Sequence, residues 1–177
     1  VAGASASRVW AVTTGGAILH WNGVGWTIQA TVAASLNALW VGDELNAFAA
    51  GDAGAVRRYD GSTWRMPTSP TGQRILSVAG NSISDLWLGT STGLVYGYDG
   101  STFRQVGSLG AAVQALYTGS PGTPLALLAG GDFAVYRSSA WQTLTTYVSP
   151  QLRAAASSPP DGVWLVGDNG AVLRYVP

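Results

Sequence analysis

The chain has 177 residues, enough for one compact domain with a substantial core. Apolar residues make up 47% but charged residues only 10%, the net charge is zero and every Lys/Arg position is arginine; this argues against nucleic acid and against electrostatic docking on anionic lipid, both of which need clustered cations. Cysteine is absent and no apolar run approaches the ~20 residues that span a bilayer, so disulfides, thiolate-held metal and membrane insertion are not expected.

The first unit runs Trp10-Ala11-Val12, a turn at Gly15-Gly16, Ala17 to Trp21, then Asn22-Gly23 and Trp26. The second shows its parts most fully. Leu36 to Val41 reads as a strand, Glu44 to Asn46 as a turn, Ala47 to Ala50 as a second strand, and Gly51-Asp52-Ala53-Gly54 as another turn. Ala55 to Tyr59 is a third strand, Asp60-Gly61 a hairpin turn, and Ser62 to Met66 a fourth strand. The third unit repeats this through Trp87, Tyr98-Asp99-Gly100 and Phe103. The fourth, from Phe133 to Trp141, is shortened and lacks Asp-Gly, and the fifth ends at Tyr175-Val176-Pro177. First strands begin at Leu36, Ile75, Val113 and Leu152, and the closing aromatic falls at 26, 64, 103 and 141. Apolar residues recur at two rather than at three and four, so no helix is predicted.

Four short strands in a unit of 38 or 39 residues predict an all-β fold, a five-bladed β-propeller of four-stranded antiparallel blades. One domain over 1–177 is expected, with repeats near 1–34, 35–73, 74–111, 112–150 and 151–177. Small first-strand residues (Ala38, Ser77, Ala115, Ala154) suit the crowded axis. Aromatics in register (Trp10, Trp87, Trp164; Trp26, Trp64, Phe103, Trp141; Trp21, Tyr59, Tyr98, Tyr175) are expected to fill the wide outer space between blades. The last blade reads as three strands, incomplete or completed at the chain ends, and its open edge invites a strand from another chain. The start at Val1 reads as a processed or excised piece of something longer.

The pattern carried by Val163-Trp164-Leu165-Val166-Gly167-Asp168-Asn169-Gly170-Ala171-Val172-Leu173-Arg174-Tyr175 and by Tyr59-Asp60-Gly61-Ser62-Thr63-Trp64 resembles bacterial propeller repeats of the Ycf48-like and BNR (Asp-box) families, and is similar to tectonin-type repeats. The resemblance covers the whole chain. It implies a propeller, in families that include assembly factors, lectins, sialidases and surface proteins. The full Asp-box, Ser-x-Asp-x-Gly-x-Thr-Trp, is not matched, and the arginine cluster and nucleophilic tyrosine of a sialidase have no evident place here.

No catalytic residue, metal site or cofactor site is predicted. His20 is the single histidine and occupies the position of Arg58, Arg137 and Arg174, which reads as a solvent-facing strand position. That row could meet a carboxylated partner, but long stems covering apolar surface explain it more simply. Asp60 and Asp99 read as hairpin residues. Asp52 and Asp168 repeat in the turn between second and third strands. Glu44 with Asp85 or Asp132 would serve a glycosidase only if the ring brought them face to face. The out-of-register aromatics Trp40, Tyr117 and Tyr147 are the candidate ligand-binding residues: they either stack on a ligand at the mouth of the axis or plug it. The expectation is a non-enzymatic binding or scaffold module of a secreted or surface bacterial protein, partnered by another protein or domain. A lectin-like propeller binding a neutral glycan between blades is the alternative, and a glycoside hydrolase ranks third.

Overall fold

The computed structural model describes residues 1–119, 123–145, 151–158 and 162–176. Among the described residues, nineteen strands form five separate antiparallel sheets of four, four, four, four and three strands. Blade 1 holds β1 (Ala2–Ser5), β2 (Arg8–Val12), β3 (Ala17–Trp21) and β4 (Trp26–Thr31). Blade 2 holds β5 (Leu36–Val41), β6 (Ala47–Gly51), β7 (Val56–Tyr59) and β8 (Trp64–Arg65). Blade 3 holds β9 (Ile75–Ser82), β10 (Asp85–Thr90), β11 (Leu94–Tyr98) and β12 (Phe103–Ser108). Blade 4 holds β13 (Val113–Thr118), β14 (Pro124–Leu128), β15 (Phe133–Arg137) and β16 (Ala140–Leu144). Blade 5 holds β17 (Leu152–Ser158), β18 (Gly162–Gly167) and β19 (Val172–Tyr175). Each sheet follows chain order, as tight turns between neighbouring strands require. The architecture is that of a five-bladed β-propeller.

Alternation along each strand sends one set of side chains to the blade behind and the next set to the blade in front. Trp10 and Ile18 of blade 1 therefore meet Ala47, Ala49 and Tyr59 of blade 2. Phe48 and Val56 of blade 2 meet Leu86, Leu88 and Tyr98 of blade 3. Trp87 and Val95 of blade 3 meet Leu128 and Tyr136 of blade 4, and Leu125, Leu127 and Val135 of blade 4 meet Leu152 and Leu165 of blade 5. The core is thus a series of sandwiches between consecutive sheets. At the axis the first strands stay small: Ala38 and Ser77 are buried, and the Ser77 hydroxyl donates to the Val113 carbonyl of the next blade at 3.1 Å.

The turns follow their residues. Asp60 accepts from the backbone N–H groups of Ser62 and Thr63, and Asp99 from those of Ser101 and Thr102, so both carboxylates close their hairpins. In the shortened fourth repeat Ser138 and Ser139 take φ of 50° and 62° and make a two-residue hairpin turn without Asn or Gly. Ala53 also sits at positive φ (52°), where the matching residue of blade 5 is Asn169 (56°). A left-handed alanine costs roughly 1–2 kcal/mol, and asparagine tolerates that region better. Ala53→Asn is therefore expected to raise stability by about 0.5–1 kcal/mol, read as a higher urea midpoint at unchanged m-value.

Two expectations about packing are corrected. Trp164 and Trp26, placed between blades by their register, are 41% and 46% exposed. They lie on the front face of blade 5 and the back face of blade 1, which no sheet among the described residues covers. Blade 5 has three strands among the described residues, and its sheet shares no strand with blade 1.

Candidate functional site

An antiparallel meander puts the turns between first and second strands, and between third and fourth strands, on one rim of the propeller. The opposite rim carries the turns between second and third strands and the connections between blades. The two rims differ in chemistry.

On the connection rim, charged groups are paired with one another. Asn37 donates to Asp52 at 2.7 Å, and Arg74, arriving from the next blade, pairs with the same carboxylate at 2.8 Å. In blade 5 the same two positions are Arg153 and Asp168, joined through two nitrogens and both carboxylate oxygens at 2.8 Å. This pairing holds the Asp168 carboxyl below, and the Arg153 guanidinium above, its ordinary range. Exposed pairs of this kind add little stability; they fix the turn geometry.

On the hairpin rim most carboxylates are also occupied. Asp60 is engaged by Arg65 and by its own turn, and Asp99 by its turn, which holds both carboxyls well below the usual carboxylate range. Asp43 is lowered by Asn46 and the Leu45 N–H. Glu44 accepts from Ser5 at 3.4 Å. Asp132 belongs to the turn between second and third strands, on the rim opposite Glu44 and Asp85.

The repeating basic row lies over aromatic surface rather than out in solvent. His20, expected to face solvent, instead stacks on Trp10 with ring centroids 4.3 Å apart. Burial, then the charge of Arg8, lowers its pKa, so the imidazole is neutral near neutral pH. Arg58 reaches across to blade 3 and donates to the Gly100 carbonyl at 3.1 Å. Arg137 lies over Tyr175 at 5.5 Å, and Arg174 over Trp164 at 5.6 Å.

In blade 3 this row is broken by Gly97, and a groove of about 200 Å³ opens there. Ser84, Asp85, Leu86, Trp87, Gly97, Tyr98, Asp99, Thr102, Arg104 and Val106 line it. The indole of Trp87 is fixed from behind, because its Nε1 donates to Asp85 Oδ1 at 2.9 Å while Asn81 holds Asp85 Oδ2 at 2.8 Å. Gly97 pairs with Arg104 across the ladder, and Arg104 lines the groove. Arg104 makes no ion pair among the described residues. An apolar trough with two carboxylates held in place, Asp85 and Asp99, and one exposed cation suits an amphipathic ligand. Of these residues, the sequence singled out Asp85 as a loop carboxylate, Trp87 and Tyr98 as packing aromatics and Asp99 as a hairpin residue, and none of them as ligand-binding. The break in the row at Gly97 was the available signal.

The predicted aromatics flank this groove in ring order. Trp40, at the hairpin-rim end of β5, spends its polar handle on the protein: Nε1 donates to the Gly80 carbonyl of blade 3 at 2.9 Å. Tyr117, at the same end of β13, packs against the blade 4–5 core. Trp40 and Tyr117 belong to blades 2 and 4 and do not share one cluster. Tyr147 lies outside the described residues.

Among the described residues no set of three or more His, Cys, Asp or Glu side chains is grouped to hold a metal, and no helix is long and apolar enough to cross a membrane. No family model matches the chain, and no curated protein matches it. Solved structures do. A structure of YCF48 bound to D1 peptide aligns with 94% of this chain at 17% identity and TM-score 0.72. The computationally designed Ika8 protein aligns with 95% at 17% identity and TM-score 0.77. The extracellular domain of a hybrid two-component system, BT4673 from B. thetaiotaomicron, aligns with 99% at 14% identity and TM-score 0.75. The chain spans 59%, 55% and 26% of those three chains respectively. At these identities the likeness establishes the fold: the chain is built as a β-propeller, like Ycf48.

Proposed function

We propose that the chain is a non-enzymatic binding module whose partner is another protein, engaged as a peptide segment at the hairpin rim of blade 3. The observation that carries this reading is the groove left where Gly97 interrupts the basic row. Trp87 and Val106 offer an apolar floor, and Arg104 offers a guanidinium to a carboxylate of the partner. The likeness to YCF48 bound to a peptide supports a protein partner for this fold. Employment of Asp60, Asp99, Asp52 and Asp168 in turns and ion pairs supports a binding role over hydrolysis. A secreted or surface location in a bacterium fits the low charge and the likeness to an extracellular domain.

A neutral glycan is the second reading, favoured by the indole floor beside the Asp85 carboxylate. One variant tests both. A Cβ at Gly97 meets only Val106 Cγ1, at 3.5 Å, and the backbone needs no special φ there. Gly97→Arg therefore restores the row residue and fills the groove without strain. It is expected to raise stability by about 0.5–1 kcal/mol, since a strand glycine is replaced and a cation gains an indole. Peptides selected from a displayed library on the native chain are expected to lose at least about tenfold in affinity for Gly97→Arg, a loss of ~1.4 kcal/mol. A library that yields no peptide sensitive to this change, alongside a glycan array that yields a sensitive sugar, transfers the site to the second reading. Insensitivity of both removes the groove as the binding site.

A further inference from the structure

In blades 1, 2 and 5 a second-strand aromatic faces a basic row residue across the ladder. His20 faces Trp10 and stacks on it at 4.3 Å. Arg58 faces Phe48 and reaches on to blade 3, where it donates to the Gly100 carbonyl at 3.1 Å. Arg174 faces Trp164 and holds its guanidinium 5.6 Å from the ring centre. In blade 3 the aromatic is Trp87 and the residue facing it is Gly97. The indole keeps its packing partners in blade 4, Tyr136 and Trp141, but has no row residue over it. Its exposure shows the difference: Trp10 and Phe48 are 1% and 0% exposed, and Trp87 is 8% exposed.

Nothing local calls for glycine at 97. Its φ is not positive, and the nearest atom to an added Cβ is 3.5 Å away. A glycine inside a strand is unfavourable, so what this one does is keep the indole bare. The charge around the slot is also lopsided. Asp85 and Asp99 both line it, against one guanidinium, that of Arg104. A second cation beside Arg104 has a precedent in the chain. In blade 2, Arg58 and Arg65 form the same cross-strand pair, with Arg65 engaged by Asp60.

We infer that the slot receives an arginine side chain of the partner protein, laid over the Trp87 indole where the row residue is missing, with Asp85 and Asp99 answering its charge. The inference rests on the groove being a peptide site and adds which residue of the peptide enters it. Arginine fits better than lysine, because a planar guanidinium stacks on an aromatic face and presents a fork to carboxylates. The partner thus supplies the group that the chain itself supplies in the other blades. Arg104 is left for a carboxylate of the same segment.

The probe is arginine itself, as its N-acetyl amide, titrated into the isotope-labelled chain while the Trp87 indole N–H resonance is followed. The amide is expected to shift that resonance with a dissociation constant of about 1–10 mM. The citrulline amide, neutral and of similar shape, is expected to bind at least about fivefold more weakly. Gly97→Arg is expected to abolish the shift. Asp99→Asn is expected to keep the fold, because Asn22 closes the same hairpin in blade 1 through the N–H groups of Val24 and Gly25. It is expected to weaken the amide by about threefold, through loss of charge. A resonance left in place by ~50 mM arginine amide overturns the inference, as does citrulline that binds as well as arginine. Peptides selected on the native chain separate the arginine from the groove. A peptide lost with Gly97→Arg that keeps its affinity when each arginine becomes citrulline overturns the arginine and leaves the peptide groove standing. Peptides that lose at least about tenfold on that replacement support it. If no peptide responds to Gly97→Arg, the groove falls as a peptide site and the arginine falls with it.

Discussion

Trp10→Ala is expected to destabilise the chain by about 3–5 kcal/mol, the range for truncating a large buried aromatic. The same change at Trp164 in the monomer is expected to cost no more than about 1 kcal/mol. The two tryptophans occupy one repeat position and differ only in whether a blade lies in front of them. Trp10 is 1% exposed and touches His20, Tyr59 and Trp64, so its removal empties the junction between blades 1 and 2. The cavity cannot collapse easily, because the two sheets around it are held at the axis by short first strands and at the rim by their turns. Trp164 has the Arg174 guanidinium over its ring and is 41% exposed. Urea unfolding followed by far-UV circular dichroism checks both variants at low concentration. Equal losses at the two positions would mean that the front face of blade 5 is covered in the monomer.

The same comparison shows how far the sequence could be read. Strand starts at Leu36, Ile75, Val113 and Leu152 were legible because the repeat and the period-two pattern fall on the same residues. The hairpins at Asp60-Gly61 and Asp99-Gly100 were legible from turn chemistry alone. What the repeat could not reveal is where periodicity stops having a physical partner. Register assigns Trp26 and Trp164 the same role as Trp64 and Trp87, and only the placement of neighbouring sheets distinguishes them. His20 was misplaced for the opposite reason. It shares its position with arginines that also turn onto protein surface, and its ring stacks on Trp10 as Arg137 lies over Tyr175 and Arg174 over Trp164. The groove at Gly97 arises from a deviation within the repeat, and deviations are visible only once the regular positions are known to pack.

Gly54→Ala is expected to be among the most damaging single-methyl additions in the chain, with a cost above about 3 kcal/mol, the upper end for overpacking. The turns between second and third strands repeat a glycine at 16, 54, 93 and 170, each at positive φ. Positive φ alone costs an alanine roughly 1–2 kcal/mol. At Gly54 a second demand is added, because the connection to blade 3 folds back over the turn. A Cβ there would lie 1.8 Å from the Thr71 carbonyl oxygen and 2.9 Å from Ser69 Oγ, and the Ser69 hydroxyl donates to the Gly54 carbonyl at 2.6 Å. Relief requires moving backbone, which loosens the connection that aligns β9 against blade 2. Gly170 isolates the first demand from the second: its φ is +74°, yet no atom of the described residues lies within 4 Å of an added Cβ. Gly170→Ala is therefore expected to cost only the conformational term, roughly 1–2 kcal/mol. Unfolding of the two variants side by side separates a glycine needed for its dihedral from one needed because another strand of backbone passes through the space. Equal costs at 54 and 170 would place the whole requirement in the dihedral and none in the returning connection.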